Sequence, residues 1–499
     1  MRHSIIIAVA CALIPAGIKA QNSFEEFQKR NDNRFKEFEE KVNNDYNEFR
    51  DKVNREYENL MKQTWNAYEA LATKPLPQED NPLPPVVFPQ DDQDIPLVDN
   101  PCPIEDVITV APIKPQPQPV VPIDVKPTPA PSAEKYMTID LLGLDAQVRI
   151  DGISRISIGE CNSDNIAGAW KQLADGSCDR LTSDCLALRE SHKLCDWAYL
   201  MLLRDVAQAF FGKACDEATL LAAHLYSSSG YAMRLALDED AHLTLLYGSD
   251  HTILNKRYWH IDGINFYALD NDAVHLHICQ ASYPGEKPMS LIITREQSMA
   301  MLQTRNRTLK SEKYSDLTAD VSTNKHLIDF YDSYPTSRFD DKFGSRWAMY
   351  ANTPLSQKAK SSLYPSLKTS INGLSQLAAV NRLLNFVQTA FVYEYDDKVW
   401  GYDRAFFPDE TLYYPYCDCE DRSILFSRLV RDLLGLEVVL IYYPGHLATA
   451  VHFNEDVSGD YISLHGIKYV VCDPTYINAG VGRTMPRMDN SKAKVILLE

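Results

Sequence analysis

Apolar residues recur every eleven positions near the start of the chain. Two series share this spacing: Phe24, Phe35, Tyr46, Tyr57 and Tyr68, and Phe27, Phe38, Phe49, Leu60 and Leu71. Eleven residues over three helical turns gives about 3.67 residues per turn, so these positions align in one nearly straight stripe. The other positions are largely charged, and the pattern predicts one long amphipathic helix over residues 21–74. Such a helix either forms a coiled coil that sets a homo-oligomeric state through residues 24–71, or docks on the rest of its own chain.

The periodic pattern gives way to a stretch dominated by proline. Residues 75–131 hold 17 of the 28 prolines of the chain. Proline fixes φ and removes a hydrogen-bond donor, so such a stretch is not expected to build a helix or a sheet. We therefore predict a semi-extended Pro-rich linker over residues 75–135.

Strand-like and helix-like patterns alternate after Tyr136, which is typical of an α+β protein. "YMTIDLLGLDAQVRI", "AHLTLLYG", "INFYALD" and "AVHLHICQA" predict strands. "HKLCDWAYLMLLRDVAQAFFG", "DEATLLAAHLYSSSG" and "LSQLAAVNRLLNFVQTAF" have the spacing of buried helices. The patterns divide this part of the chain into residues 136–300, a polar connecting region over residues 301–365, and residues 366–499.

The first residues have the features of a secretory signal peptide. In "MRHSIIIAVACALIPAGIKA" an arginine precedes an apolar run, and Ala20 supplies a small residue for cleavage. We therefore expect residues 1–20 to be removed and the protein to be exported, to the periplasm, the cell surface or the medium. Later apolar runs are all shorter than the roughly 18 residues of a membrane span, so no transmembrane segment is predicted.

Charge and cysteine content narrow the functional classes. The formal net charge is -18, which argues against nucleic acid as a partner because phosphate binding needs a basic surface. An exported protein favours disulfides, and four cysteines crowd together without the paired spacing of common zinc sites. We expect one or two disulfides among Cys161, Cys178, Cys185 and Cys195.

The stretch "YCDCEDRS" places a cysteine where a helix begins. In "CEDRSILFSRLVRDLLG", Cys419 precedes acidic residues and then apolar residues at helical spacing. A helix N-terminus stabilises a thiolate, which is the nucleophilic form of cysteine. Further along, His446 opens one predicted strand and Asp473 ends another, and neighbouring strands could hold the two within hydrogen-bond reach. Two alternatives are a disulfide involving Cys417 and Cys419, and a metal site that includes His446.

Three blocks in this order resemble the transglutaminase-like cysteine protease superfamily. The blocks are "CDCEDRSILFSRLV", "GHLATAV" and "YVVCDPTY". The resemblance implies a papain-like fold for the C-terminal domain, in which a nucleophile helix packs on an antiparallel sheet. It also implies that Cys419 is the nucleophile, His446 the general base and then acid, and Asp473 the residue that orients the histidine.

Residues 136–300 repeat this pattern in a diverged form. Cys215 is followed by two acids and an apolar helix, and "GINFYALD" parallels "GIKYVVCD". This predicts a second transglutaminase-like module with a possible triad of Cys215, His251 and Asp270. The alternative is a module that serves packing or ligand recognition.

The favoured function is therefore acyl transfer from a peptide or protein amide, with cell-wall peptide among the candidate substrates. A peptidase or amidase is favoured over a cross-linking enzyme, and no cofactor or metal is expected. The competing hypothesis is a non-catalytic exported scaffold or adhesion protein that carries two transglutaminase-like binding modules.

Overall fold

The computed structural model divides the chain into two units, Met1–Asn59 and Leu60–Glu499. The signal peptide and most of the eleven-residue repeat lie outside the residues that it describes, so oligomerisation through the repeat stays a prediction. The described residues are 41, 44, 48–63, 65–72, 83–90, 95–104, 106–108, 135–339 and 344–499.

The described chain contains both helices and strands and belongs to the mixed α+β class. The described helices are α1 (residues 48–61), α2 (Ser163–Leu173), α3 (Asp179–Ser191), α4 (Asp196–Phe211), α5 (Asp216–Ser228), α6 (Lys325–Asp332), α7 (Ser345–Asn352), α8 (Gln357–Ile371), α9 (Gln376–Thr389), α10 (Asp396–Val399), α11 (Pro408–Tyr413) and α12 (Cys419–Leu434). The described strands are β1 (Asn66–Glu69), β2 (Leu71–Ala72), β3 (Val86–Val87), β4 (Asn100–Pro101), β5 (Asp106–Ile108), β6 (Tyr136–Leu141), β7 (Leu144–Arg149), β8 (Met233–Leu237), β9 (Leu243–Ser249), β10 (Thr252–Ile253), β11 (Arg257–Ile261), β12 (Ile264–Ala268), β13 (His275–Ile278), β14 (Arg307–Lys310), β15 (Thr318–Val321), β16 (Ser337–Arg338), β17 (Val392–Tyr393), β18 (Tyr416–Cys417), β19 (Val438–Tyr443), β20 (His446–Val451), β21 (Asp460–Leu464), β22 (Ile467–Cys472), β23 (Tyr476–Ile477) and β24 (Lys494–Leu497).

The first large sheet is closed by a segment from near the N-terminus. Its strand order is β1-β13-β8-β9-β12-β11-β2. Only Ala70 separates β1 from β2, yet β1 pairs with β13 at one edge and β2 pairs with β11 at the other. The sheet therefore curls until its two edges share one strand. Its buried interior consists of Ala232, Ala236, Leu246, Trp259, Ile261, Phe266, Ala268, Leu276 and Ile278.

The second large sheet is closed in the same way by part of the Pro-rich stretch. Its order is β4-β21-β22-β20-β19-β24-β5, with β4 parallel to β21 and β5 parallel to β24. Cys102 and Ile104 lie between these two short strands and are buried in the sheet's core. The other buried members are Val439, Ile441, Tyr443, Ala448, Ala450, Ile462, Leu464, Tyr469, Val471, Ala493 and Val495.

The two sheets share one topology. In each, a helix (α5 or α12) leads into a hairpin (β8-β9 or β19-β20), followed by a second hairpin whose later strand lies beside the first hairpin. The last strand, β13 or β24, returns to the other side of the first hairpin. The internal similarity noticed between "GINFYALD" and "GIKYVVCD" thus falls on equivalent strands, β12 and β22.

Two predictions about the N-terminal part are wrong. The helix expected through residue 74 ends at residue 61, and Tyr68 and Leu71 lie in β1 and β2. The linker expected over residues 75–135 contains β3, β4 and β5. In both cases the unpaired edges of a sheet supply hydrogen-bond partners that local sequence patterns do not reveal.

The expectation of disulfides is also wrong. None of the ten described cysteines forms one. Cys178 and Cys185 lie along the same face of α3, and Cys195 precedes α4, so their thiols are packed within the helical layer. Burial raises the pKa of Cys178 and of Cys195 to about 12, which keeps both thiols protonated.

The helices predicted from sequence spacing within the second unit are confirmed as α4, α5, α9 and α12. The connecting region folds into the β14-β15 hairpin and helices α6, α7 and most of α8. Helix α12 packs between α9 and strand β20, and this packing positions the candidate site. Within the described part of the chain, no helix has both the length and the apolar character needed to cross a bilayer.

A close backbone approach at Gly482 gives a test of this fold. Gly482 has a φ of 85°, and a Cβ there would lie 2.8 Å from the Ser458 carbonyl oxygen. Gly466 has a φ of 83° but open space around it, so it reports backbone strain alone. We expect Gly482→Ala to lower the free energy of unfolding by about 2 kcal/mol more than Gly466→Ala does, in urea titrations. Equal losses would mean that this backbone contact is not limiting.

Candidate active site

The start of α12 is fixed by a buried carboxylate. Asp421 accepts hydrogen bonds from the backbone N–H of Asp418 at 3.3 Å and from that of Phe406 at 2.8 Å. Burial, and then the charge of Asp396, raise the pKa of Asp421. Cys419 is the first residue of the helix, where backbone N–H groups have no acceptor within the helix itself. The thiol is therefore attached at the positive end of the helix dipole.

The structure brings His446 and Asp473 together. His446 is the first residue of β20, and Asp473 directly follows β22, which pairs with β20 in antiparallel register. The Nε2 atom of His446 lies 2.9 Å from Oδ2 of Asp473. Both side chains are buried, with only 1% and 2% of the residue exposed. The expected contact between imidazole and carboxylate is therefore present.

The second carboxylate oxygen of Asp473 is held by the backbone. It accepts hydrogen bonds from the N–H groups of Thr475 at 2.8 Å and Tyr476 at 3.2 Å. These contacts follow from the turn that Pro474 begins after the strand. The carboxylate is thus fixed at both oxygens, and it fixes the imidazole in turn.

Gln388 on α9 secures this turn, and sequence reasoning did not identify it. Its Nε2 atom donates to the carbonyl oxygens of Asp473 at 3.0 Å, Tyr476 at 2.8 Å and Ala479 at 3.0 Å. Its Oε1 atom accepts from the N–H of Asn478 at 3.1 Å. The signal in the sequence that could have identified Gln388 is its position as a polar residue within an apolar helical pattern.

The cysteine and the histidine come from elements in direct contact. The hydroxyl of Ser423, one turn after Cys419, donates to the carbonyl oxygen of Leu447 at 2.8 Å. Nδ1 of His446 is buried and has no hydrogen-bond partner among the described residues. The Cys419 thiol lies 3.4 Å from Oε2 of Glu420. The imidazole thus uses Nε2 for Asp473 and keeps Nδ1 available for a proton.

Several carboxylates lie around Glu420, and they are the residues that could hold a cation. Oxygens of Asp396, Asp403 and Glu420 lie within 4.8 Å of one another, as do ligand atoms of Asp418, Cys419 and Glu420. The Arg346 guanidinium contacts Asp403 at 2.9 Å and Glu420 at 3.7 Å, which supplies positive charge to the first group.

The alternatives raised for the cysteine pair find no support in the described residues. Cys417 and Cys419 form no disulfide with each other or with another cysteine. Their sulfurs and His446 do not converge as a metal-ligand group within the described part of the chain. Burial raises the pKa of Cys417 to about 11, although Arg422 acts in the opposite direction.

The structure does not bring the side chains of Cys215, His251 and Asp270 together. The Nε2 atom of His251 lies 3.4 Å from the Ser290 hydroxyl, and burial lowers the pKa of His251 to about 3. Asp270 is exposed and pairs with Arg204 at 3.5 Å. His251 follows the end of β9, whereas His446 stands at the start of the equivalent strand β20. The choice of His251 therefore placed the histidine at the wrong end of its strand.

A different histidine occupies the equivalent position. His242 immediately precedes β9, and its Nδ1 atom lies 3.5 Å from Oδ2 of Asp216, the residue after Cys215. Its side chain is 70% exposed, unlike that of His446. The five-residue connection in the β8-β9 hairpin, compared with two residues in β19-β20, concealed this equivalence in the sequence.

Comparisons with known proteins do not identify the chain: no protein-family model matches it, and no curated protein is significantly similar to it.

Replacing Gln388 tests how the turn after β22 is held. In Gln388→Leu the carbonyl oxygens of Asp473, Tyr476 and Ala479 lose a common donor, so we expect the free energy of unfolding to fall by about 2–4 kcal/mol. Asn381→Leu on the same helix removes one donor, to the Leu377 carbonyl oxygen, and one acceptor, of the Val481 N–H, and serves as the matched control. Chemical denaturation measures both, and a loss from Gln388→Leu no larger than that of the control would contradict this role.

The carboxyl group of Asp396 predicts how the stability of the protein depends on pH. Burial, and then the charge of Glu420, raise the pKa of Asp396 above its usual value. Near neutral pH the folded state therefore holds a proton on Asp396 that the unfolded state releases. The contribution of Asp396 to stability is present at low pH and is lost as the pH rises from about 4 through neutrality. We expect Asp396→Asn to reduce the loss of stability between pH 5 and pH 8 by about 1 kcal/mol or more.

The measurement is the free energy of unfolding at the two pH values, for the natural protein, Asp396→Asn and Asp397→Asn. Asp397 is the adjacent, exposed residue, and its variant should keep the pH dependence of the natural protein. An unchanged pH dependence in Asp396→Asn would contradict the prediction.

Proposed function

We propose that the chain is an exported, cysteine-dependent acyl-transfer enzyme of the transglutaminase-like cysteine protease superfamily, with a papain-like C-terminal domain. The observation that carries the proposal is the buried contact between His446 and Asp473, beside the helix that begins at Cys419. A buried imidazole held by a carboxylate at one nitrogen, with its other nitrogen without a partner, is suited to accept a proton from a nucleophile.

The reaction consists of two acyl transfers. His446 takes the thiol proton of Cys419, and the thiolate attacks the carbon of a carboxamide or peptide carbonyl. The C–N bond breaks, His446 gives its proton to the leaving amine or ammonia, and a thioester remains on the sulfur. Water or an amine then attacks the thioester, and the thiol of Cys419 is regenerated with a carboxylic acid or a new amide as product.

Asp473 holds the imidazole through Nε2, so Nδ1 is the nitrogen that accepts the thiol proton in this proposal. It also stabilises the imidazolium that forms during each transfer. The backbone N–H of Cys419, at the start of α12, is placed to donate to the oxyanion of the tetrahedral intermediate. These roles need no cofactor.

The substrate in this proposal is an exported peptide or protein amide, with cell-wall peptide among the candidates. Hydrolysis by a peptidase or amidase is favoured over cross-linking, because water outcompetes an amine unless the site binds the amine. The predicted signal peptide places the reaction in the periplasm, at the cell surface or in the medium.

One observation favours the non-catalytic alternative. Only 1% of Cys419 is exposed, and a scaffold module has no need of an accessible thiol. The two hypotheses differ in whether His446 activates Cys419, so this is the property to measure.

Alkylation of Cys419 by iodoacetamide at pH 7, followed by peptide mass spectrometry, is the direct test. In His446→Ala we expect the rate to fall by about 10- to 100-fold because the thiolate loses its imidazole partner. His452→Ala, a histidine of the same domain beyond the end of β20, is the matched control and should alkylate at the natural rate.

Turnover completes the test. Amide hydrolysis and amine incorporation are followed on a peptide mixture by mass spectrometry, and Cys419→Ala should abolish both while Cys215→Ala retains them. Equal alkylation in His446→Ala and the natural protein, together with no turnover, would favour the scaffold.

A further inference from the structure

A short part of the Pro-rich stretch runs beside the candidate active site. Residues 83–90 include β3, which pairs in parallel with β23, three residues beyond Asp473. The N–H of Leu83 donates to the carbonyl oxygen of Gly445 at 2.9 Å, and Gly445 directly precedes His446. The segment thus touches the chain next to both members of the histidine–carboxylate pair. We call residues 83–90 the strap.

The far end of the strap is anchored by an aromatic contact. Phe88 is buried, and its ring meets that of Tyr476 edge-on with centroids 5.4 Å apart. The Arg483 guanidinium lies 4.8 Å from the centre of the Phe88 ring. The N–H of Phe88 donates to the carbonyl oxygen of Ile477 at 2.8 Å. A small apolar cluster, to which Leu83 and Val86 also contribute, therefore holds the strap against the turn that follows Asp473.

The near end of the strap reaches the surroundings of the thiol through Tyr393. The Tyr393 hydroxyl donates to the carbonyl oxygen of Leu83 at 3.5 Å. Its parallel partner in β18 is Cys417, two residues before Cys419. Burial raises the pKa of Tyr393, and the charge of Cys419 acts in the same direction. A series of contacts thus leads from Leu83 through Tyr393 to Cys417, two residues before the nucleophile.

The strap is held by few backbone hydrogen bonds. Pro84, Pro85 and Pro89 have no N–H to donate. A segment with little backbone bonding and one aromatic anchor can open locally while the sheet behind it stays folded. The extended backbone of another peptide can form the same pairing with β23 that β3 forms, since main-chain hydrogen bonds do not depend on side chains.

We propose that the strap is an autoinhibitory segment that covers the site of Cys419, His446 and Asp473 and must move aside before an extended peptide can reach the sulfur. The inference rests on the proposed acyl-transfer function for its purpose, but its physical content is the accessibility of one thiol. It explains why a cysteine at a helix N-terminus beside a histidine–carboxylate pair is buried.

Two variants weaken the strap at opposite ends. Phe88→Ala removes the ring that packs on Tyr476 and Arg483, and Leu83→Pro removes the N–H that donates to Gly445 while extending an existing proline run. Val87→Ala is the matched control, because 64% of Val87 is exposed and its removal leaves both anchors intact. The measurement is the rate of alkylation of each cysteine by iodoacetamide, resolved by peptide mass spectrometry.

We expect the alkylation rate of Cys419 to rise about tenfold or more in Phe88→Ala and in Leu83→Pro, and to stay within about twofold of the natural rate in Val87→Ala. Cys472 is fully buried in β22 and reports global unfolding, so its rate should not change. An unchanged Cys419 rate in both weakened variants would overturn the proposal, and so would a parallel rise at Cys472.

Turnover in the same samples separates this inference from the proposed function. Faster alkylation of Cys419 in the weakened variants, without any amide hydrolysis or amine incorporation, would support the strap as a cover over the thiol. It would contradict the acyl-transfer function. Turnover by the natural protein, with no change in alkylation between variants, would support the acyl-transfer function and contradict the autoinhibitory role of the strap.

Discussion

The edge hydrogen bonds of two curled sheets constrain much of this structure. A sheet edge presents unpaired N–H and C=O groups, which in solution invite another chain. Here each sheet offers both of its edges to one short segment from the N-terminal part, residues 66–72 in the first case and residues 100–108 in the second. One segment can serve two edges only if the sheet curls until they meet. Closure therefore buries an apolar interior in each sheet and removes the open edges together.

The packing of α12 on the second sheet is what positions the candidate site. Cys419, His446 and Asp473 come from a helix start, a strand start and a strand end, so no local interaction relates them. The elements that carry them are brought together because α12 packs on β20, and because β20 pairs with β22 in a fixed register. Gln388 and Arg422 then join the turn after β22 to the helical layer, since Arg422 donates to the carbonyl oxygens of Gln388 at 3.0 Å and Phe391 at 2.9 Å.

The charge around the site is unusual for a thiolate. Asp418 and Glu420 put carboxylates close to the sulfur, and Asp396 and Asp403 lie beside Glu420, with Arg346 as the counter-charge. A negative surrounding disfavours the thiolate, whereas the helix N-terminus and an imidazolium favour it. Burial raises the pKa of Glu420, and the charge of Asp403 adds to the effect, so protonation of this carboxyl reduces the repulsion. Reactivity of the thiol depends on this balance in the proposed enzyme.

The sequence by itself determined the elements whose signals are local. Spacing predicted α4, α5, α9 and α12. The same reasoning selected His446 and Asp473, because a Pro-Gly turn and an Asp-Pro pair mark strand boundaries in the chain. Only the tertiary structure decided the rest. It showed that residues 66–72 leave the helical repeat and that part of the Pro-rich stretch forms strands. It also showed that His242, and not His251, is equivalent to His446, and that Gln388 holds the turn after β22. These features depend on hydrogen bonds between residues far apart in sequence, and a local pattern carries no information about which distant edge or carbonyl awaits a partner.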